Sequence, residues 1–371
     1  MKRALMNSKQ KGDYLLLIAV TLLATVGTVF IYSASNYSAK ATYGDAFFFV
    51  KKQVIGIIIG LVTMILASIF DYSKLKKFCL PVSIISFVLL ALVFLPGLGV
   101  ENYGARRWIG IGGITLQPSE ISKFALILFC ATYFSNNPEK AKTFKGVLPV
   151  LLFGLSTCVL IILEPNMSIT VCVALLMLTM LFAAGMKIKL FVLMIVPALV
   201  VGILLIIAEP YRLKRLSAFL NPWSSPKGEG YQLLQSLYAL GSGGWFGVGL
   251  FNSRQKYAFL PFAESDFILS VIGEEIGFIG LALFFSLIGF IIFRGIKIAS
   301  KSKDLFGFML AIGVTMIFGI QAVVNALVVT GSIPPTGLPL PLVSSGNTSI
   351  IIFMTEMGIL YNISKQSKLT F

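Results

Sequence analysis

Asp266 is the residue whose type and position most strongly suggest chemistry. It lies where a polar loop meets an apolar run, in the stretch L-P-F-A-E-S-D-F-I-L-S (260–270). A carboxylate at the edge of a membrane segment is costly to desolvate unless it has a partner or a task. The chain has no histidine, so a general base must come from its carboxylates, lysines or tyrosines. Asp266 is therefore our first candidate for the catalytic base, and its oxygens would also suit a divalent metal ion.

A second candidate is the pair Glu120 and Lys123, which falls inside an apolar segment opened by Gln117-Pro118-Ser119. The i, i+3 spacing puts both side chains on one face of a helix, where they can pair. Pairing lowers the cost of holding two charges at membrane depth. The pair either only fixes helix orientation or also lines a substrate cavity, and the residues alone do not decide between these roles.

A set of cations and two serines could bind a substrate that carries phosphate. Charge-assisted hydrogen bonds to phosphate are strong, although lipid headgroups would attract the same cations without selectivity. The serines fall in a loop rich in proline and glycine, and such backbone is tolerated at membrane depth where it is buried in protein or lines a wet cavity. The candidates for substrate binding are Arg106, Arg107, Arg212, Arg215, Arg254, Lys256, Ser344 and Ser345.

The elements that must position these residues are membrane helices. Hydrophobic residues make up 57% of the chain and charged residues 12%, whereas soluble globular proteins carry roughly 25% charged residues. The net charge is +15, and most of the basic residues lie in short loops between the apolar runs. The sequence contains no nucleic-acid-binding motif, so we expect no nucleic-acid partner. Ten apolar segments have spanning length, at 14–34, 53–70, 78–95, 118–135, 146–163, 167–185, 190–208, 266–291, 305–328 and 346–363.

The distribution of lysine and arginine predicts the orientation. With the N-terminus inside, 18 of the 30 basic residues fall on the cytoplasmic side and 11 outside, six of them in the long loop 209–265. Short basic loops stay inside, and long loops weigh less in this rule. The chain is thus predicted to be an all-α polytopic membrane protein with both termini cytoplasmic and the large loop between the seventh and eighth helices extracytoplasmic. Its basic residues also suit contact with anionic membrane lipids.

Two outer loops allow local predictions. The stretch 96–117 is predicted to be a short amphipathic or turn-rich piece at the membrane interface, with Trp108 as an anchor. Within the long loop, Y-Q-L-L-Q-S-L-Y-A-L (231–240) predicts a surface-lying or re-entrant helix. The glycines at 241–249 lack the context of a phosphate-binding loop and indicate close packing against membrane helices.

Motifs along nearly the whole chain resemble, in order, the SEDS family of bacterial cell-wall proteins, which includes FtsW, RodA and SpoVE. They include G-A-R-R-W-I (104–109), Q-P-S-E-x-x-K (117–123), E-P (164–165), R-L-x-A-F-L-N-P (215–222), N-S-R-Q-K (252–256), S-D-F-I (265–268) and G-L-P-L-P-L-V-S-S-G (337–346). The N-S-R-Q-K segment is more similar to the division and sporulation branch than to the elongation branch.

The resemblance implies a single ten-helix bundle over residues 1–371 in the bacterial plasma membrane, with its active side extracytoplasmic. It implies a peptidoglycan glycosyltransferase that polymerises lipid II in division or sporulation and releases undecaprenyl pyrophosphate. The implied partner is a class B penicillin-binding protein, a transpeptidase. The family's essential aspartate falls on Asp266, and its cavity pair falls on Glu120 and Lys123. A divalent cation, Mg or Mn, held by Asp266 is an alternative to Asp266 acting as the base.

Three departures from the family pattern keep other functions open. The chain has E-P-N-M (164–167) where the family usually has E-P-D-L, and S-S-G-N (344–347) where it usually has S-Y-G-G. The residues 262–265 before Asp266 also differ from the common pattern. The alternatives are a catalytically weak scaffold that recruits or activates a class B penicillin-binding protein, and a flippase for the lipid-linked precursor.

Overall fold

The structure is a computed structural model that describes residues 12–102, 105–111, 114–257 and 259–367. The described residues form twelve α-helices and a three-stranded sheet. The helices are α1 (Tyr14–Tyr43), α2 (Phe48–Ile69), α3 (Cys79–Leu92), α4 (Pro118–Asn136), α5 (Phe144–Leu163), α6 (Met167–Ala183), α7 (Ile188–Ile207), α8 (Pro210–Leu220), α9 (Tyr231–Gly243), α10 (Ile268–Ser300), α11 (Leu305–Val329) and α12 (Asn347–Lys365). The strands are β1 (Gly99–Asn102), β2 (Ala105–Ile111) and β3 (Ile114–Leu116). Short 3-10 turns lie at Tyr72–Phe78, Pro138–Lys142 and Pro222–Ser224.

Ten of these helices, α1 to α7 and α10 to α12, occupy the ten apolar segments predicted from the sequence. Six helices are long and apolar enough to cross a membrane, and Met167–Ala183 and Ile188–Leu204 are apolar but shorter. The helices α4 and α12 are less apolar because they carry Glu120, Lys123 and Glu356 in the interior. The prediction of an all-α polytopic membrane protein is confirmed.

Helix α12 connects the two ends of the bundle. At one end Ser364 Oγ accepts a hydrogen bond from the backbone N–H of Asp13 at 2.9 Å, so the first and last described residues lie together there. At the other end Thr348 Oγ1 donates to the backbone oxygen of Thr115 in β3 at 3.1 Å. We call these the terminus end and the sheet end. Along its length α12 packs in parallel against α2, where Thr355 Oγ1 donates to Thr63 Oγ1 at 2.8 Å.

Helix α10 is broken at Gly277, whose backbone has φ 65° and ψ −170°. The glycine-rich segment after α9 supplies the hydrogen bonds that the break removes. The backbone N–H groups of Val248 and Gly249 donate to the carbonyls of Glu274 and Glu275 at 2.9 and 3.1 Å, and Phe278 N–H donates to the Gly244 carbonyl at 2.9 Å. Only glycine adopts such a φ without strain. The glycines at 241–249 therefore serve close packing against a membrane helix, as predicted.

The stretch 96–117 was predicted to be a short amphipathic or turn-rich piece. It instead contains the antiparallel sheet, in the order β1-β2-β3. Strands of four, seven and three residues are too short to show a reliable alternating pattern in the sequence. The pairing contains a bulge: Val100 pairs with Trp108, but Glu101 pairs with Arg106, so Arg107 has no partner in β1. A bulge of this kind turns a side chain away from its regular direction.

The long loop 209–265 contains two helices. Helix α9 confirms the helix predicted at 231–240, and it lies against the membrane bundle. Ser236 of α9 donates through Oγ to the carbonyl of Val329 in α11 at 2.7 Å, and its Oγ is 2.8 Å from Ser270 Oγ in α10. Helix α8 carries Arg212 and Arg215 at the sheet end. The loop thus returns to the bundle just before Asp266.

Candidate functional site

Asp266 lies in the turn that leads into α10 at the sheet end and is partly exposed. The Ser265 hydroxyl donates to its Oδ1 at 2.8 Å. Burial raises the pKa of Asp266, and the Ser265 hydrogen bond and the charges of Arg107 and Arg215 oppose that rise. A carboxylate with a raised pKa is a better proton acceptor than an ordinary aspartate.

The loop between α11 and α12 fixes the Asp266 turn through hydrogen bonds to its backbone. Ser344 Oγ donates to the Ser265 carbonyl at 2.7 Å, and the backbone N–H of Ser345 donates to the Glu264 carbonyl at 2.9 Å. A Cβ on Gly337 would lie 3.2 Å from Asp266 Oδ2, so this loop approaches the carboxylate closely. Ser344 and Ser345 therefore position the Asp266 turn through its backbone.

Asn325 of α11 joins the two loops, and the sequence did not single it out. Its Nδ2 donates to the carbonyls of Asp266 and Leu338, each at 2.8 Å. The side chain is buried. It lies one turn before the end of α11, where its side chain reaches both the Asp266 turn and the loop between α11 and α12. An amide in a largely apolar run, which also contains Gln321, was the signal that could have identified it.

Replacing Asn325 with alanine should destabilise the protein by about 1–3 kcal/mol, because the two carbonyls would lose a buried donor. Thermal unfolding in detergent measures this, with Asn252→Ala as the control. Asn252 is exposed and makes one long hydrogen bond, 3.4 Å from Nδ2 to the Val248 carbonyl. Equal unfolding temperatures for the parent and Asn325→Ala would contradict the assigned contacts.

Arg107 is the arginine that the bulge in β2 directs toward the turn between α5 and α6. Its Nη2 donates to the Pro165 carbonyl at 2.5 Å and its Nε donates to the Glu164 carbonyl at 3.4 Å. The charges of Arg107 and Arg215 both act on Asp266. We call Asp266, Arg107, Arg215 and Glu164 the Asp266 site.

Glu164 was matched only as part of a motif and was not predicted as a site residue. Its side chain is 1% exposed, and neither carboxylate oxygen has a hydrogen-bond partner. Burial raises its pKa from 4.5 to about 8, while the charge of Arg107 opposes the rise. A carboxylate between two apolar runs was the signal that could have identified it.

Glu164 should make stability depend on pH. Its folded-state pKa lies above the unfolded value of 4.5, so its contribution is full below pH 4.5 and is lost as the pH rises to about 8, at no more than about 1.4 kcal/mol per pH unit. Unfolding temperatures measured across that range should fall less steeply for Glu164→Gln than for the parent. The exposed Glu229→Gln is the control and should keep the parent slope. Identical slopes for Glu164→Gln and the parent would contradict the burial of a neutral acid.

Glu120 and Lys123 form the predicted ion pair, with Lys123 Nζ 2.7 Å from Glu120 Oε1. Their side chains are 1% and 2% exposed. The ammonium also lies 5.6 Å from the ring centroid of Phe353 in α12. The pair thus lies inside the bundle, and its role in lining a substrate cavity stays a prediction.

Glu356 of α12 joins this pair and was missed in the sequence. It is buried, and the charges of Lys123 and Glu120 act on it. Oε2 of Glu356 and Oε2 of Glu120 have no hydrogen-bond partner. The cluster therefore contains one ammonium, the Glu120 carboxylate paired with it, and a second buried carboxyl group on which its charge acts. The signal was present, because a carboxylate inside an apolar segment is uncommon.

The other predicted cations have different surroundings. Arg106 is exposed and pairs with Glu101 at 3.2 Å. Arg212 Nε donates to the Tyr211 hydroxyl at 3.2 Å on α8. Lys256 is buried and donates through Nζ to the Phe251 carbonyl within its own loop. These three are thus engaged by neighbours other than Asp266, and their role in substrate binding stays a prediction.

Arg254 lies in a loop that is held by two carboxylates of α10. Its backbone N–H and that of Gln255 donate to Glu274 at 3.1 and 3.4 Å, and the backbone N–H of Ser253 donates to Glu275 at 3.2 Å. Carboxylates are strong acceptors for backbone N–H groups. Glu274 and Glu275 therefore fix this loop two turns along α10 from Asp266, and the Arg254 side chain is exposed.

The chain is similar in sequence to a known family of proteins. The family model for the cell cycle proteins FtsW, RodA and SpoVE matches residues 13–369. Stage V sporulation protein E of Bacillus subtilis (strain 168) is 38% identical over 363 residues, which cover 98% of this chain and 99% of that protein. A probable peptidoglycan glycosyltransferase FtsW of Trichlorobacter lovleyi is 39% identical over 358 residues, covering 96% and 94%.

Solved structures share the fold. A chain of a peptidoglycan synthase complex has a TM-score of 0.78 at 25% identity, covering 95% of this chain and 97% of that one. The rod shape determining protein RodA of Thermus thermophilus has a TM-score of 0.72 at 24% identity, covering 96% and 98%. From its sequence and its fold, this chain belongs to the FtsW/RodA/SpoVE family, the SEDS family.

Proposed function

We propose that this chain is a peptidoglycan glycosyltransferase that polymerises lipid II into glycan strands, in cell division or sporulation. The observation that carries the proposal is the Asp266 site, where a carboxylate of raised pKa lies among the charges of two arginines. A glycosyl transfer to a hydroxyl needs both parts: an acceptor for the hydroxyl proton and positive charge beside the leaving pyrophosphate. The name of the FtsW relative, a probable peptidoglycan glycosyltransferase, supports the same reaction class, and the name of the sporulation relative supports the process.

In the proposed reaction, the 4-hydroxyl oxygen of the acceptor sugar attacks the anomeric carbon of the donor. The hydroxyl proton passes to Asp266. The bond between the anomeric carbon and the phosphate oxygen breaks with inversion, and its electron pair leaves with undecaprenyl pyrophosphate. The guanidinium groups of Arg107 and Arg215 stabilise the charge that develops on this leaving group.

A divalent cation, Mg or Mn, is part of the proposal as an alternative to the base role of Asp266. Within the described ranges, no group of three or more acidic, histidine or cysteine side chains could hold a metal ion. Asp266 would thus be the protein ligand, and water and substrate phosphate would complete the coordination, as is common for Mg. The ion would supply charge neutralisation at the pyrophosphate.

The proposed setting is the bacterial plasma membrane, with both termini cytoplasmic and the Asp266 site extracytoplasmic. The chain is a multi-pass membrane protein. The excess of basic residues in the short loops of the terminus end supports this orientation. A class B penicillin-binding protein is the proposed partner, because one of the structures similar to this chain belongs to a peptidoglycan synthase complex that coordinates polymerization and crosslinking.

The departures from the family pattern keep structural roles in this chain. Asn166 caps α6 by accepting the Ile169 N–H at 3.4 Å through Oδ1, a role that asparagine and aspartate both perform. Asn347 begins α12, and Thr348 after it contacts β3 and accepts the Gln117 N–H at 3.3 Å. These contacts favour an intact site over a degenerate one, and hence the enzyme over the scaffold.

The test is polymerisation of fluorescent lipid II by the purified protein in detergent, with and without its class B penicillin-binding protein and with Mg or Mn. Glycan strands resolved by gel electrophoresis are the expected result. If the protein is folded and binds the partner but yields no strands, the result would contradict the proposal and indicate the scaffold function instead. Movement of lipid II across vesicle bilayers without strands would instead indicate a flippase.

A further inference from the structure

Helix α7 has the weakest attachment to the bundle among the helices that fill the predicted segments. No buried side chain is found among its described residues, whereas every other helix of that set has several. Val192, Leu193 and Val196 are exposed. In a membrane, a helix face of this kind contacts lipid rather than protein.

A groove of about 650 Å³ runs between α7 and the beginning of α5. Phe144 of α5 and Leu193 and Val196 of α7 are among its apolar walls, and Lys142, Lys187 and Lys189 lie at its mouth. All three lysines are exposed at the terminus end. The groove thus has a cationic end and an apolar length, which is the profile of a phospholipid site.

The length of the groove fits one membrane leaflet. Its lining follows α7 from Lys187 to Pro197, and ten residues of helix rise about 15 Å. Half of a hydrocarbon core of about 30 Å is the same length. An acyl chain placed along α7 would therefore have its phosphate at the level of the lysines.

The charge at the mouth selects for an anion. The two loops that form it, residues 137–145 and 184–189, contain five lysines and one acidic residue, Glu139, a net charge of +4. Glu139 pairs with Lys142 at 2.8 Å, with both side chains exposed. An exposed pair of this kind contributes little and yields readily to a competing anion.

We propose that this groove binds one anionic phospholipid, with its phosphate held by Lys142, Lys187 and Lys189 and an acyl chain along Leu193 and Val196. The lipid fills the space between α5 and α7 and attaches α7 to the bundle. The site lies at the opposite end of the bundle from Asp266. It is independent of the proposed glycosyl transfer.

The experiment is native mass spectrometry of the delipidated protein titrated with diphosphatidylglycerol, phosphatidylglycerol or zwitterionic phosphatidylethanolamine. The parent should retain one anionic lipid. Changing Lys142, Lys187 and Lys189 together to glutamine should weaken retention at least about tenfold. The control changes Lys74, Lys77 and Lys303, which are exposed in other loops at the terminus end, to glutamine and should stay within about twofold of the parent.

A groove-filling variant tests the apolar half. Leu193→Trp keeps all three lysines and should also lower retention at least about tenfold, because the bulky ring occupies the path of the acyl chain. The proposal is overturned if the two lysine triples weaken retention equally, since that indicates diffuse attraction. It is equally overturned if Leu193→Trp binds as the parent does, or if phosphatidylethanolamine or a lipid-linked pyrophosphate is retained in preference.

Discussion

Asp266→Asn is expected to lower the rate of lipid II polymerisation about 100-fold or more, the usual contribution of a general base. Asparagine has nearly the same size and can still accept the hydrogen bond from Ser265, which joins Ser265 Oγ to Asp266 Oδ1 at 2.8 Å. It cannot accept the proton of the attacking hydroxyl. The initial rate of strand formation measures the effect, and the unfolding temperature should stay near that of the parent.

Glu264→Gln is the matched control, because it changes a carboxylate to an amide two residues before Asp266. Burial raises the pKa of Glu264 as well, so an altered pKa alone does not separate the two residues. Glu264 is joined to Ser345 only through its backbone carbonyl, and its substitution should lower the rate by less than about tenfold. A loss as large as that of Asp266→Asn would contradict the assignment of a single base.

Lys123→Met is expected to destabilise the protein by about 3–5 kcal/mol, the usual cost of removing one partner of a buried ion pair. Removing the ammonium would leave Glu120 and Glu356 buried together without a positive partner. Thermal or denaturant unfolding in detergent measures the change.

Glu120→Met should destabilise the protein less than Lys123→Met, because Glu356 remains near Lys123 and can neutralise it. The control is Glu139→Met, which breaks a Glu–Lys pair of the same i, i+3 spacing whose side chains are 83% and 53% exposed. It should cost less than about 0.5 kcal/mol. A larger effect of Glu120→Met than of Lys123→Met would show that Glu356 does not share the lysine.

Much of the fold follows from hydropathy, because each spanning helix needs a long apolar run. All ten predicted segments are helical in the structure, and the predicted helix at 231–240 is present as α9. The sheet at 99–116 was missed because its strands are short and interrupted by glycine. The break at Gly277 was also missed, because it depends on hydrogen bonds from residues 244–249, which are distant in the sequence.

The candidate site was less predictable than the fold. Asp266 could be selected because its carboxylate lies at the junction of a loop and an apolar helix. Arg106 and Arg107 looked equivalent in the sequence, and only the bulge in β2 distinguishes Arg107, whose charge acts on Asp266, from Arg106, which pairs with Glu101. Glu164 belongs to the site through its contact with Arg107, which no local pattern reveals.

Two buried carboxyl groups were not predicted from the sequence, and the reason is the same for both. Glu164 and Glu356 each stand alone in an apolar stretch, without a charged residue three or four positions away to form an obvious pair. Glu120 was noticed because Lys123 follows at helical spacing. The partners of Glu164 and Glu356 come from β2 and α4, and long-range contacts of this kind require the fold.

The most direct test measures bound lipid II and strand formation in the same samples of the parent and Asp266→Asn, each with the class B penicillin-binding protein. A base role for Asp266 beside the charges of Arg107 and Arg215 predicts that the variant binds lipid II as the parent does but forms strands at least about 100-fold more slowly. Strand formation by the variant at the parent rate would contradict the account, because the proton of the attacking hydroxyl would then pass to another group.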